Sequence, residues 1–202
     1  MIAIIDYGMG NIHSVKKAVE YCGEKALVSN TPAQILSAKK VILPGVGAFE
    51  DAIAELEKQG LIPVIRRVID SGKAFLGICL GMQLLFDSSA EAKKTKGLGV
   101  IKGAVEKIPS NRVKVPHIGW NQISIKTKDC RILEGVMEKS FVYFCHSYFV
   151  NPKDKSVVAA SCAYGVNFAS VVNIRNIYGV QFHPEKSQDV GLKIIDNFTN
   201  LC

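Results

Sequence analysis

The sequence predicts an α/β protein, with a mostly parallel central sheet flanked by helices and an added antiparallel β section. Three observations carry that expectation. Short, unbroken apolar runs at residues 2–5, 41–43 and 74–78 have the composition of strands buried on both faces of a parallel sheet. Segments with apolar residues at helical spacing alternate with those runs through the first half. From about residue 100 onward, short β-rich segments separated by turn residues take over.

Residues 2–5 form the first strand, and Gly8-Met9-Gly10 makes the turn behind it. Ile12, Val15, Val19 and Cys22 recur at helical spacing, and Gly23 ends that helix. Residues 25–28 make a second strand. Thr31-Pro32-Ala33-Gln34 opens the next helix: Thr31 can cap it, Pro32 suits its first position, and Gln34 completes a capping box. Residues 41–43 form a third strand that stops at Pro44. Helical patterns cover 49–57 and 61–69, an apolar strand covers 74–78, and a helix is expected over 80–86. The β-rich segments are 100–101, 104–108, 122–125, 141–144, 157–160 and 169–174, with turns at Pro109-Ser110-Asn111 and Asn151-Pro152. Residues 177–182 return as an apolar strand. The final helix carries Ile194, Ile195, Phe198 and Leu201 on one face. With no internal repeat, low-complexity stretch or linker, residues 1–202 are expected to form one domain.

Hydrophobic residues make up 48% and charged residues 21%, which excludes a disordered chain, a collagenous one and a coiled coil. No run approaches the roughly 18 apolar residues of a membrane helix. The opening run meets Asp6 at once and lacks the basic start of a signal peptide, so a cytoplasmic protein is expected. Six cysteines without a Cys-x-x-Cys pair are expected to be mostly free, buried thiols, with no metal site. The net charge of +7 is spread along the chain, and its densest run, Lys93-Lys94-Thr95-Lys96, reads as a solvated basic loop, not a nucleic-acid surface.

The sharpest local feature is Gly77-Ile78-Cys79-Leu80-Gly81, between a predicted strand and a predicted helix. A Gly-x-nucleophile-x-Gly turn there is a nucleophile elbow, in which the chain reverses sharply and glycines leave the nucleophile unobstructed. The helix start behind Cys79 favours its thiolate. That matters because an ordinary thiol, with a pKa of about 8.5, is only a few per cent ionised at neutral pH. The thiolate needs a base, and His183 lies in Gly179-Val180-Gln181-Phe182-His183-Pro184-Glu185, just past an apolar strand. Glu185 can hold that imidazole in one tautomer and steady its charged form, the cysteine version of a catalytic triad. Acyl transfer also needs an oxyanion hole. Gly45-Val46-Gly47 follows the third strand, and its glycines permit backbone angles that aim an amide at a developing oxyanion. The Leu80 N–H, next after the nucleophile, is the second donor. No Gly-Lys-Ser/Thr follows, so a phosphate loop is disfavoured. His13, on the first helix, is expected to be merely exposed.

With these residues in hand, the chain resembles the triad-type glutamine amidotransferases, through Gly77-Ile78-Cys79-Leu80-Gly81-Met82-Gln83-Leu84-Leu85 and Gln181-Phe182-His183-Pro184-Glu185. Further stretches are similar to the glutaminase subunits of imidazole glycerol phosphate synthase: Asp6-Tyr7-Gly8-Met9-Gly10-Asn11, Pro44-Gly45-Val46-Gly47-Ala48-Phe49, Pro116-His117-Ile118-Gly119-Trp120-Asn121 and His183-Pro184-Glu185-Lys186-Ser187. The similarity runs over essentially the whole chain. The triad signature is shared by many amidotransferases; the Pro-His-x-Gly-Trp-Asn stretch is much narrower. The resemblance implies a class I glutamine amidotransferase-like, flavodoxin-like fold. It implies hydrolysis of L-glutamine to glutamate and ammonia through a thioester on Cys79, with His183 relaying protons and Glu185 orienting it. It also implies that Gln83, Glu91, His146, Ser147 and Tyr148 hold glutamine, His146 as a neighbour and not a catalyst. Val46 matches the position whose peptide reorients to complete the oxyanion hole, together with Gly47 and Leu80. No cofactor is expected.

The resemblance further implies a heterodimer with a (β/α)₈-barrel cyclase, which takes ammonia through its interior and makes imidazole glycerol phosphate and AICAR in histidine biosynthesis. Residues matching Asn11, Pro116, Trp120 and Tyr143 lie near that interface and its ammonia gate, although Trp120 alone reads equally as core packing or as an interface anchor. Little activity is expected from the isolated chain, because a flexible Gly-Val-Gly segment offers a two-state switch. Three rivals stand beside this reading. A paralogue supplying ammonia for amidination of surface-polysaccharide sugars is not separated by the motifs. A γ-glutamyl peptidase on the same sheet is opposed by the short chain and by the Pro116 to Asn121 stretch. A catalytically dead scaffold subunit is opposed by the intact triad.

Overall fold

The computed structural model of the chain describes residues 1–92 and 94–202. The first apolar run forms β1 (Ile2–Ile5), followed by α1 (Ile12–Tyr21), β2 (Ala26–Ser29), α2 (Pro32–Ser37) and β3 (Lys40–Gly45). Next come α3 (Phe49–Lys58), α4 (Leu61–Asp70), β4 (Ala74–Cys79) and a single helical turn, α5 (Leu80–Gln83). The β-rich part contains β5 (Phe86–Ser89), β6 (Ala92–Lys96), β7 (Ile101–Lys107), β8 (His117–Gln122) and β9 (Ser124–Ile125). It continues through β10 (Phe141–His146), β11 (Tyr148–Pro152), β12 (Val158–Tyr164), β13 (Val166–Ile174) and β14 (Ile177–Val180) to α6 (Gln188–Asn200).

The main sheet runs in the order β2-β1-β3-β4-β14-β13-β12-β9. Its first five strands are parallel and the remainder is antiparallel, so the mixed α/β expectation holds. The period of two along each strand sorts side chains to opposite faces. Ala3, Ile5, Val41, Leu43 and Phe75 pack with Phe49, Leu56 and Ile65 of α3 and α4. Ile2, Ile4, Ile42, Leu76 and Ile78 pack with Val15 and Val19 of α1 and with Ile194, Ile195 and Phe198 of α6. These side chains are withdrawn from water almost completely, and each large one contributes about 1.5–3 kcal/mol. A second sheet, β11-β7-β5-β6, feeds Phe86, Ile101, Val105 and Val150 into the first cluster, and β8 and β10 form a separate two-stranded ribbon. Because β1, β3, β4 and β14 are parallel, their carboxyl ends open on one crevice, where ligands of such sheets bind.

Five expectations need correction. The helix expected over 80–86 stops at Gln83, and the chain enters β5. Leu84, Leu85 and Phe86 are buried on every side, so periodicity could not tell helix from strand. Their carbonyls accept instead from Leu98, Val100 and Gly99. Asn151-Pro152 is no turn but the end of β11, an edge strand where proline removes no needed donor. The basic run lies on the edge strand β6, where Lys94 and Lys96 are exposed, not in a loop; Lys93 falls outside the described residues. Leu201 follows α6 and is 38% exposed, off the buried face. Thr31 precedes α2 as expected, but its side chain makes no cap. Nor does Gln34 close the capping box by reaching back to the Thr31 N–H; Ser29 takes that place, its Oγ accepting from the Thr31 N–H at 2.9 Å and donating to Gln34 Oε1 at 2.6 Å.

Candidate active site

The site starts at the end of β4. Gly45 of β3 lies in register with Cys79, and Val180 of β14 with Ile78, so three adjacent strand ends bring their residues together. Cys79 has φ 53° and ψ −109°, a backbone region that a residue with a Cβ occupies only when its surroundings hold it there. What holds it is close packing around the elbow. A Cβ on Gly81 would sit 1.9 Å from the Leu43 carbonyl oxygen, and one on Gly77 2.7 Å from the Gly81 carbonyl oxygen. Only glycine fits at either position.

His183 reaches the same point from the exit of β14. Its N–H donates to the Tyr143 carbonyl at 2.9 Å, and its own carbonyl accepts from Ser187 Oγ at 2.6 Å. The imidazole Nδ1–H donates to Glu185 Oε1 at 2.9 Å, which leaves Nε2 for Cys79. The two side chains are 5% and 1% exposed. Burial works against the imidazolium, but hydrogen bonding and charge from Cys79 and Glu185 outweigh it, and His183 is pushed up to about 10. The arrangement favours a cation between two acidic groups. Tyr7, at the exit of β1, is fully buried beside Gly45. Burial, and then the nearby Cys79, push its phenol up, so it keeps its proton.

A cavity of about 310 Å³ opens over Cys79. Every residue expected to hold glutamine lines it: Gln83, Glu91, His146, Ser147 and Tyr148. So do the candidate oxyanion residues Val46, Gly47 and Leu80. Gly47 has φ +103° and Val46 is 42% exposed. Glu91 Oε2 accepts the Phe49 N–H at 2.9 Å, so this carboxylate clamps the start of α3 just beyond the Val46-Gly47 turn. Gln83 Nε2 donates to the Tyr148 carbonyl at 3.0 Å and to Gln181 Oε1 at 3.1 Å.

Of the four residues expected near a partner, Pro116 lines the cavity, whereas Asn11, Trp120 and Tyr143 stand outside it. Asn11 starts α1, its carbonyl accepting from Val15. Trp120 is 45% exposed, so it serves the surface and not the core. It meets Tyr143 edge-on across the β8–β10 ribbon at 6.1 Å, and the Lys186 ammonium lies 5.9 Å from the Tyr143 ring. The two strands of the ribbon fill its inward face differently, β10 with the buried Val142 and Phe144 and β8 with polar side chains. The inward face also carries His117 and His146, while Ile118 and Phe141 stand 60% and 53% exposed on the other. In β8 the apolar Ile118 and Trp120 fall on the exposed positions of a strictly alternating stretch, a signal the reading of 117–122 missed. Also missed were Cys145 and Lys186, which line the cavity, and the buried Gln181.

All six cysteines are free, and three of them, Cys79, Cys130 and Cys162, are buried. His13 is exposed on α1. Among the described residues no cluster of His, Cys, Asp or Glu is arranged to hold a metal ion, and no helix is long and apolar enough to cross a membrane.

A nucleophile elbow at a crevice of a parallel sheet defines a hydrolase-like or acyl-transfer class of protein. Residues 3–201 match the family described as glutamine amidotransferase class-I, and the chain belongs to that family of amidotransferase enzymes. Among its curated relatives, the imidazole glycerol phosphate synthase subunit HisH of Aquifex aeolicus is 53% identical over 196 residues, covering 96% of this chain and 94% of the relative. The subunit of the same name from Methanosarcina barkeri is 50% identical, covering 100% and 98%. Among solved structures, PurLQS from Thermotoga maritima has a similar fold, with a TM-score of 0.78 at 19% identity over 99% of this chain and 97% of that one.

Proposed function

We propose that this chain is the glutaminase subunit of an imidazole glycerol phosphate synthase, the HisH subunit of histidine biosynthesis. In this reading the Cys79 thiolate attacks the side-chain amide carbon of L-glutamine. The tetrahedral oxyanion is held by the Leu80 N–H and by an amide of the Val46-Gly47 turn. His183, as imidazolium, gives its proton to the leaving nitrogen, and ammonia departs with formation of the thioester. Water then attacks the thioester while His183 takes its proton, releasing glutamate and the thiolate. Glu185 keeps Nδ1 protonated so that Nε2 faces the reaction. Gln83, Glu91 and the 146–148 segment orient glutamine.

Ammonia is mostly protonated near neutral pH and is a poor nucleophile in that form. It is therefore passed directly to a (β/α)₈-barrel cyclase seated on the outward face of the β8–β10 ribbon. That face carries Ile118, Trp120, Tyr143 and Phe141, and it runs into the cavity mouth at Cys145. Asn11 and Pro116 flank the same contact.

The observation that carries the reading is Cys79 held at φ 53° on the cavity floor, with the buried His183–Glu185 pair beside it. The test is glutamate release from glutamine by the purified chain, alone and then with a cognate barrel cyclase and its phosphoribosyl substrate. Strong stimulation in the full mixture, abolished by Cys79→Ala, is expected. Hydrolysis that survives Cys79→Ala overturns the mechanism, and a lack of stimulation by the cyclase overturns the partner.

A further inference from the structure

Gln181 is not among the residues that the preceding mechanism uses. It is completely buried two residues before His183, and its N–H is fixed to the Ser170 carbonyl at 2.9 Å. Its side chain lies between Gln83 and Cys79. An amide can usually be turned either way, but here the network leaves one choice. The anchor is the Tyr148 carbonyl, which can only accept. Gln83 reaches it at 3.0 Å and His146 Nδ1 at 2.8 Å, so both donate to it. The atom of Gln83 facing Gln181 is therefore Nε2, at 3.1 Å, and the facing atom of Gln181 must be Oε1. That turns Gln181 Nε2 toward the Cys79 sulfur, 3.6 Å away and within hydrogen-bond reach of sulfur. Reversing the amide would set two nitrogen donors against each other and aim an oxygen lone pair at the sulfur.

We infer that Gln181 is a catalytic residue whose Nε2–H donates to the Cys79 sulfur and holds it as the thiolate, its direction fixed through Gln83 by the Tyr148 carbonyl. A hydrogen bond to the charged form of an acid favours that form. A donor fixed beforehand in a water-poor site acts without reorganisation when the charge appears. The contact serves the thiolate twice: before attack on the amide, and when the C–S bond of the thioester breaks and the sulfur leaves with the electron pair. Gln83 thereby couples the glutamine-holding wall of the cavity to the nucleophile.

This inference rests on the glutaminase reading for its place in the reaction, but its test does not need glutamine. The test is the pH profile of alkylation of Cys79 by iodoacetamide in the full chain. It is read on the Cys79 peptide by mass spectrometry, because the exposed Cys145 also reacts. The other titratable groups around the sulfur are Tyr7 after β1, His183 with Glu185 behind it after β14, and Glu91, His146 and Lys186 in the cavity lining; all stay in place. Gln181→Met keeps the volume and removes the donor. It is expected to raise the midpoint of the profile by about one pH unit, an approximately tenfold loss of thiolate at a fixed lower pH. Gln181→Glu is isosteric, keeps an acceptor toward Gln83, guards against a packing defect in the first variant, and is expected to shift the midpoint at least as far. Because the carboxylate of Gln181→Glu also repels the thiolate, Gln181→Met decides: a Gln181→Met profile that overlays the wild type overturns the inference and leaves Gln181 a packing group. Shifted profiles in a chain that never hydrolyses glutamine, even with its partner, sink the glutaminase reading and leave the thiolate contact standing.

Discussion

His117 and His146 are buried without a carboxylate partner, and desolvation pushes both down to about 4. At His146 the neighbouring His117 and His183 add to the effect and the Tyr148 carbonyl opposes it. The neutral rings have defined tautomers. His146 Nδ1–H donates to Tyr148, so its Nε2 accepts from His117 Nδ1–H at 3.1 Å, and His117 Nε2 accepts from Asn121 at 3.4 Å. His117 also stacks on Tyr164 at 3.9 Å. Because these folded-state values lie below the ordinary 6.5, the unfolded chain takes up protons first as the pH falls. Their contribution to stability is whole above about pH 6.5 and is lost progressively toward about pH 4. His117→Phe keeps the ring stack and removes one of the two titrations. It is expected to cost about 1–2 kcal/mol at neutral pH, from the lost hydrogen bond to His146, and to flatten the acid limb. Urea denaturation at neutral pH and at about pH 4.5 checks this; an acid loss equal to the wild type's refutes it. At the candidate triad, Glu185→Gln retains an acceptor for Nδ1 but removes the charge. It is expected to lower glutamate release by a smaller factor than Cys79→Ala or His183→Ala, since an orienting group contributes less than a nucleophile or base.

Among the elements, α2 tests where a helix cap resides. The chain entering it is held by Ser29 of β2, which binds both the Thr31 N–H and the Gln34 side chain. Thermal unfolding is therefore expected to register Ser29→Ala at about 1–2 kcal/mol and Thr31→Ala within about 0.5 kcal/mol; the reverse order contradicts this assignment. The same case explains what the sequence could and could not reveal. The central strands and the helices between them were legible because unbroken apolar runs and 3.6-residue periods are local signals. Cys79, His183 and Glu185 were legible because the glycines of an elbow and a proline-broken strand end lie within a few residues of them. Not legible were features set by distant partners. The chain leaves α5 after one turn because residues 98–100 capture the carbonyls of residues 84–86. Likewise β8 hides its polar face because β10 carries a histidine opposite His117. Gln181 reads in sequence as one more residue of a strand; only the neighbouring Gln83 and Cys79 give it a direction.

At the scale of the whole molecule, the ribbon and the cavity form one continuous surface. Cross-strand pairs set Trp120 against Tyr143 and Ile118 against Cys145, and Cys145 also lines the cavity above Cys79. An apolar cluster left in water at the mouth of the Cys79 cavity gains nothing for the isolated fold, which is the physical mark of an interaction site. A partner seated there would cover the opening and receive what leaves it. Trp120 is the expected anchor, since a large, half-exposed aromatic beside an apolar patch gains most on burial. Trp120→Ala should leave thermal stability within about 0.5 kcal/mol of the wild type, because nearly half of the side chain already faces water. Binding to a cognate barrel cyclase, followed by titration calorimetry, should weaken by about 2 kcal/mol, or roughly thirtyfold. Met137 supplies the control, being 78% exposed and outside the paired strands of the ribbon; Met137→Ala should leave both quantities unchanged. A Trp120→Ala variant that binds the cyclase as tightly as the wild type would move the proposed docking surface off the ribbon, and the proposed path for ammonia from Cys79 past Cys145 would go with it.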